Sequence, residues 1–372
     1  MGGFISLYQE MRDGVVAFSP ARFPYQRFAL ALMIGVAGSI LFAWLDIPLP
    51  WLLGSMFACS VAALSSAPIA APSVVRPPTL VILGILLGAS FTPRFFYDLE
   101  QALPTLLGLI VFMVVAAACC GFYFHKVAGF DAKTAYFSGM PGGLMEMVIL
   151  GDANGADARL IALVHSGRIL LIISFLPILI ELLFEVDLQR QDFVGQSFAA
   201  ISLGDSLAIA ATAAAGILIG HVLHIPAKYL LGPLAASAAV HALGWSDFRP
   251  PAELVNIAQI ILGTTIGCRF LGFEPMLTIR ILFLSLGATI ILLCLTFLFG
   301  FGMGYIIDQP PLPIILAYSP GGLAEMSLVA VSLQIEVVFV TIHHVVRVFA
   351  IMVSAGYVFA FAKRYLNGKR RT

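Results

Sequence analysis

Charge is scarce in this chain. Of its 372 residues only 11% are Asp, Glu, Lys or Arg, against about 25% in an ordinary soluble domain. The 20 basic and 20 acidic residues cancel, so no basic excess points to a nucleic-acid partner. Cysteine is also sparse. Cys59, Cys119, Cys120, Cys268 and Cys294 all lie in apolar stretches without a CxxC or Cys/His spacing. They read as small buried hydrophobes, and no metal or cofactor is expected. No nucleotide-binding loop is present, which leaves no direct route to ATP-driven work. The first long apolar run, near Phe28, lacks a small-residue cleavage site after it, so the first span is expected to stay.

What the chain does have is apolar residues, 60% of the total, with a mean hydropathy of +1.00. An all-α integral membrane protein is the expected class. Apolar runs place spans near 28–44, 51–66, 78–92, 103–125, 160–183, 204–222, 229–244, 253–268, 281–305 and 338–362. Several are shorter than the roughly 20 residues that a bilayer asks for, which implies tilt or burial among neighbours. The expected organisation is a cytoplasmic segment 1–26, membrane repeat 1 at 27–183 and an acidic linker at 184–203 carrying Glu185, Asp187 and Asp192. Membrane repeat 2 follows at 204–362, then a basic tail at 363–372.

The repeats appear when the chain is slid along itself by 178 or 179 positions. Ile47-Pro48 and Leu52-Leu53-Gly54 return as Ile225-Pro226 and Leu230-Leu231-Gly232. Gly84, Gly88 and Phe91 return as Gly263, Gly267 and Phe270, a GxxxGxxF that lets a helix approach its neighbour closely. Pro141-Gly142-Gly143-Leu144, Glu146 and Met147 return as Pro320-Gly321-Gly322-Leu323, Glu325 and Met326. His165 and Arg168 return as His344 and Arg347. Lys and Arg in the loops favour cytoplasmic termini, and lean towards five spans plus one re-entrant PGG segment per half, hence inverted repeats. The alternative, in which each PGG segment crosses, stays open.

Proline removes a backbone donor and paired glycines admit non-helical conformations, so each apolar segment should break at Pro141 and at Pro320. Broken backbone at membrane depth is tolerated where protein or water satisfies it, as in the discontinuous helices of transporters. Glu146 and Glu325 then fall early in the following half-helix, where the dipole favours a carboxylate. Their roles are either capping, or cation coordination and reversible protonation. Ser138 and Ser319 flank the breaks and offer hydroxyls to an ion or to freed carbonyls.

Arg168 and Arg347 sit well inside their spans, where an arginine costs about 2.5–3.5 kcal/mol, so each should face the interior and have a partner. Glu146 and Glu325 are the expected partners, as a structural ion pair or as part of a transport site. His165 and His344 share a helix face with these arginines, three residues away, and are candidates for a pH response. His343 has no counterpart, since Val164 stands at its position. Asp152, Asp157 and Arg159 read as a solvated turn, and the HxxH of His221 and His224 as an interfacial pair.

Two PGGLxEM motifs, each followed some twenty residues on by HxxR, resemble the membrane AbrB family of Gram-negative bacteria, over about residues 27–362. The small soluble DNA-binding regulator of the same name is not resembled. The resemblance implies a multi-pass protein of the bacterial inner membrane. Members are commonly labelled ammonia monooxygenases or regulators of gene expression, and neither label implies particular residues.

The function expected is therefore a secondary transporter of a small solute or ion, not an enzyme. A regulatory membrane protein is the alternative. A membrane monooxygenase is disfavoured because the histidines and glutamates lie at scattered offsets for a copper or iron site. Expected partners are the lipid bilayer and the solute, and the GxxxG helices are compatible with a homodimer.

Overall fold

The computed structural model describes residues 16–19, 22–93, 102–184 and 197–368. The linker residues Glu185, Asp187 and Asp192, most of the 1–26 segment and the end of the basic tail lie outside them. Within the described residues the chain forms fourteen α-helices and no strand. They are α1 (Tyr25–Trp44), α2 (Pro50–Leu64), α3 (Arg76–Gly88), α4 (Leu103–Lys126), α5 (Ala132–Gly139), α6 (Leu144–Ala153) and α7 (Ala158–Phe184). There follow α8 (Leu203–Val222), α9 (Lys228–Ala242), α10 (Ala252–Gly267), α11 (Pro275–Ile307), α12 (Pro311–Tyr318), α13 (Leu323–Ser332) and α14 (Val337–Gly368).

Each of the ten apolar runs read from the sequence lies on a helix of its own. Six of these helices, α1, α4, α7, α8, α11 and α14, are long and apolar enough to cross a membrane. The two PGG segments each form two half-helices instead. Helices α5 and α12 begin and end 179 residues apart (132 to 311, 139 to 318), and α6 and α13 do the same (144 to 323, 153 to 332).

The chain divides into two compact units. The first comprises Met1–Ala102, Leu170–Ile279 and Leu323–Thr341. Within it α2 packs on α1 and α10, while α9 packs on α8 and α3. Glycine explains how closely. A methyl group built on Gly38 or Gly54 would run into the other's backbone, and the same holds for Gly216 and Gly232. Gly84 and Gly88 lie on the backbone of α9 at Leu230 and Leu234, and Gly263 and Gly267 lie on that of α2 at Leu52 and Met56. The GxxxGxxF expectation thus holds on both helices, and each meets the helix that precedes the other. Around these seams Leu52, Met56, Leu83, Leu87, Leu262 and Ile266 are fully buried. The residues ahead of α2 and α9, Leu49 and Ala227, both take the left-handed conformation (φ 50° and 47°).

The second unit comprises Leu103–Ile169, Arg280–Gly322 and Ile342–Thr372. Its core gathers on α4, where Phe112 meets Phe299 and Tyr318 and Phe124 stacks on Phe130. Helix α5 is capped by Asp131, whose carboxylate accepts from the N–H groups of Lys133 (2.9 Å) and Thr134 (3.2 Å). Partial burial pushes this carboxyl up, but the hydrogen bonds and the Lys133 charge outweigh it, so it titrates below the usual value. A carboxyl depressed in the folded state stabilises at pH above its unfolded value and ceases to as pH falls through the carboxylate range. Asp131→Ala should therefore cost about 1 kcal/mol at neutral pH. Thermal unfolding of the two proteins at neutral and at acidic pH checks this, with the gap closing in acid.

Candidate functional site

The first PGG segment breaks where proline and glycine require it. Helix α5 ends at Gly139, Met140 and Gly143 are extended, and α6 starts at Leu144. The last carbonyls of a helix have no partner within it. Here Arg168, on α7, supplies one. Its Nη1 donates to Met140 O at 2.8 Å and its Nη2 to Gly142 O at 3.0 Å. Both residues are buried in the sense that matters: Arg168 is 4% exposed and His165 is 0%.

His165 is fixed from two sides. Its Nε2 lies 2.9 Å from Phe137 O, and a carbonyl only accepts, so the hydrogen is assigned to Nε2. Nδ1 is then a lone pair, and it accepts from Arg168 Nη2 at 2.7 Å. A second proton on this ring would set two donors face to face. In this arrangement the histidine braces the arginine.

The second break repeats this geometry. Helix α12 ends at Tyr318, and Pro320-Gly321-Gly322 separates it from α13. Arg347, on α14, donates from Nη1 to Ser319 O and from Nη2 to Gly321 O. His344 Nε2 lies 3.2 Å from Leu316 O. In both copies the arginine reaches carbonyls 28 and 26 positions earlier, and the histidine one 28 earlier. The copies differ in their surroundings. His344 Nδ1 is buried without a hydrogen-bond partner. His343, standing where the first copy has Val164, is 2.8 Å from Thr105 Oγ1 on α4, and Tyr318 donates its hydroxyl to Thr105 O. His343 is thus a satisfied core histidine that ties α14 to α4.

Glu146 does not pair with Arg168. Among the described residues Arg168 makes no ion pair, its hydrogen bonds going to two carbonyls and His165. Glu146 instead folds back over Gly143, so that a side chain at 143 would strike its carboxylate. That places the carboxylate over the start of its own helix, where the dipole favours it, without a capping hydrogen bond. The physical reason is competition: the carbonyls freed by the break lie next to the guanidinium, while the carboxylate is folded over the start of its own helix.

Glu325 is 4% exposed and belongs to the first unit, where α13 packs against α3. Arg269, beside the end of α10, interacts with both Glu325 and Arg76. Arg76 Nε and Arg269 Nη1 are buried without hydrogen-bond partners. Sequence reading missed these two arginines because they stand at the ends of predicted spans and counted as loop charge. Neither is duplicated, since Val255 and Ser90 occupy the matching positions. Their usable signal was position: each directly adjoins an apolar helix.

The remaining candidates separate by role. Ser138 is 1% exposed and its hydroxyl has no partner, while Ser319 contributes its carbonyl to Arg347. Asp157 caps α7 through the N–H groups of Arg159 and Leu160. The ring of His221 bonds Ile217 O and that of His224 bonds Val222 O, which uses them locally.

Comparison with known proteins follows the same lines. The family profile described as "Transition state regulatory protein AbrB" matches residues 51–363. A Bacillus subtilis protein, YhjN, is 24% identical over 353 residues, covering 86% of this chain and 89% of the relative. An Escherichia coli protein named as a regulator, AbrB, is 22% identical over 348 residues, covering 92% of this chain and 98% of the relative.

Proposed function

Because the chain belongs to the AbrB family, in its hydrophobic, helical membrane form, we propose that it is a secondary transporter of a small solute or ion. The observation that carries this reading is the pair of helices broken in an apolar chain, each with its freed carbonyls held by a buried arginine. A plain kink needs no such arrangement. Half-helix ends exposed at membrane depth are where transporters bind solute and coupling ion.

On this proposal the two halves are inverted repeats, each with five spans and a re-entrant PGG segment. The protein sits in the inner membrane with both termini cytoplasmic, works without a cofactor as a transporter and not an enzyme, and forms a homodimer. Glu146 and Glu325 are its coupling carboxylates, and each alternates between its resting contact and a protonated state. Glu146→Gln and Glu325→Gln should each reduce pH-driven flux in proteoliposomes to background at unchanged protein yield. Solutes for the assay come from metabolite profiling of a deletion strain against its parent. Wild-type flux in both variants would remove the carboxylates from the mechanism.

The regulatory reading rests on the names of the family profile and of the Escherichia coli relative. A solute that accumulates when its transporter is lost alters expression without any contact to DNA, so the two readings are compatible. As for oxidative chemistry, among the described residues no three His, Cys, Asp or Glu side chains converge to hold a metal ion. Metal analysis of the purified protein tests that reading independently.

A further inference from the structure

Arg168 carries a full charge into the second unit, yet its acceptors are neutral. Three of its N–H groups are used by Met140 O, Gly142 O and His165. Its Nε–H is buried without a partner. An arginine in such a place ordinarily finds a carboxylate, because a buried unpaired charge is costly. Two hydroxyls share its condition: Ser138 Oγ at the end of α5, and Ser285 Oγ on α11, which is 0% exposed. Ser138, Arg168 and Ser285 line one interior gap with Cys120 and Phe124, packed too tightly to admit a water. Three residues lining this gap thus each carry a buried donor with no acceptor, beside a positive charge, and hydroxyls rotate to donate as required.

The pattern continues along α11. Thr289 Oγ1 and Thr296 Oγ1 are likewise fully buried without partners. Positions 285, 289 and 296 fall on one helix face, and the run is about 16 Å long at 1.5 Å per residue. Ser and Thr in helices commonly satisfy themselves on the carbonyl four residues earlier, as Ser174 does on Leu170 O in this chain. These three do not.

We propose that the gap beside the first break is the seat of a small monoanion with acceptor oxygens, a carboxylate or an inorganic oxyanion. It is held by Arg168 Nε, Ser138 and Ser285, and Thr289 and Thr296 mark its route along α11. This rests on the transporter reading and assigns it a substrate class. The present packing is the closed state of the site, and the anion enters when the broken segment moves. A cation is excluded by the guanidinium, and a neutral apolar solute leaves all three donors unused.

The test is thermal stability of the purified full-length protein in detergent, titrated with sodium acetate or sodium nitrate against sodium chloride at equal ionic strength. Either oxyanion should raise the melting temperature saturably and chloride should not. A response to acetate alone identifies a carboxylate ligand, and one to nitrate alone an inorganic oxyanion. Ser138→Ala and Ser285→Ala should raise the half-saturating concentration about tenfold, the usual worth of one hydrogen bond. Neither variant should melt lower without anion, because the hydroxyls removed bond nothing. No saturable response, an equal response to chloride, unchanged half-saturation in both variants, or failure of the alanine variants to fold would each overturn the proposal. Anion binding without flux in liposomes would sink the transporter reading and keep the site. Flux without anion binding would do the reverse.

Discussion

Arg168→Met should lower the stability of the detergent-solubilised protein by about 2–5 kcal/mol and abolish transport. Methionine fills much of the volume but donates no hydrogen bond. Met140 O, Gly142 O and His165 Nδ1, all bonded to this guanidinium, would be stranded, at about 1–3 kcal/mol for each buried polar group left unsatisfied. Part of that is returned, because an ion that is expensive to bury is also removed. Arg168→Lys separates charge from geometry. A single ammonium cannot span two carbonyls and a ring nitrogen as the planar fork does, so lysine should recover less than half of the loss. Arg347→Met should behave in the same direction, since Arg347 holds Ser319 O and Gly321 O. The readout is thermal unfolding of each variant, followed by flux at matched protein amounts. Full stability in Arg168→Met would mean that the break stands without its clamp.

The second large effect belongs to the first unit. Gly54→Val or Gly232→Val should cost at least about 3 kcal/mol, beyond the usual overpacking penalty. Most overpacked cores recover by turning a side chain aside. At these glycines the obstacle is backbone, Gly38 O facing position 54 and Gly216 O facing position 232. Relief requires moving a whole helix and breaking the seams at Gly84, Gly88, Gly263 and Gly267 that depend on the same packing. The expected result is little folded protein in the membrane fraction. Gly302, which has open space around a built Cβ, is the control: Gly302→Ala should be neutral or slightly stabilising, as alanine is the better helix former.

These contrasts show what a linear reading can and cannot reach. The ten apolar helices were legible because a long apolar run is recorded directly in the sequence, and six of them have the length to cross a membrane. The breaks were legible because Pro141 and Pro320 change the backbone itself. Close helix approach was legible at Gly84 and Gly263 for the same reason, since a missing side chain is visible in the sequence. The partners of the arginines were not. A sequence displays Glu146 as the nearest opposite charge, whereas the acceptors used are carbonyls, which every residue has and which only a broken helix leaves available. Arg269 comes within electrostatic reach of Glu325 without any periodic signal, through packing of elements far apart in the chain. The bracing of Arg168 by His165 likewise rests on neighbours that neither spacing nor composition reveals.

The exchange of partners in the first unit also bears on how such a protein is made. Helices α1 and α2 can meet as a hairpin as soon as both have left the ribosome, and so can α8 and α9. But α2 closes on α10, and α3 closes on α9, so the Leu52 and Met56 face of α2 and the glycine face of α3 wait for helices synthesised more than a hundred residues later. The N-terminal half inserts first and stays incomplete, with its smoothest surfaces turned to lipid, until the second half arrives to cover them. Expressed alone it should be degraded, and supplied with the other half as a separate chain it should be rescued, because what completes it is contact and not covalent continuity.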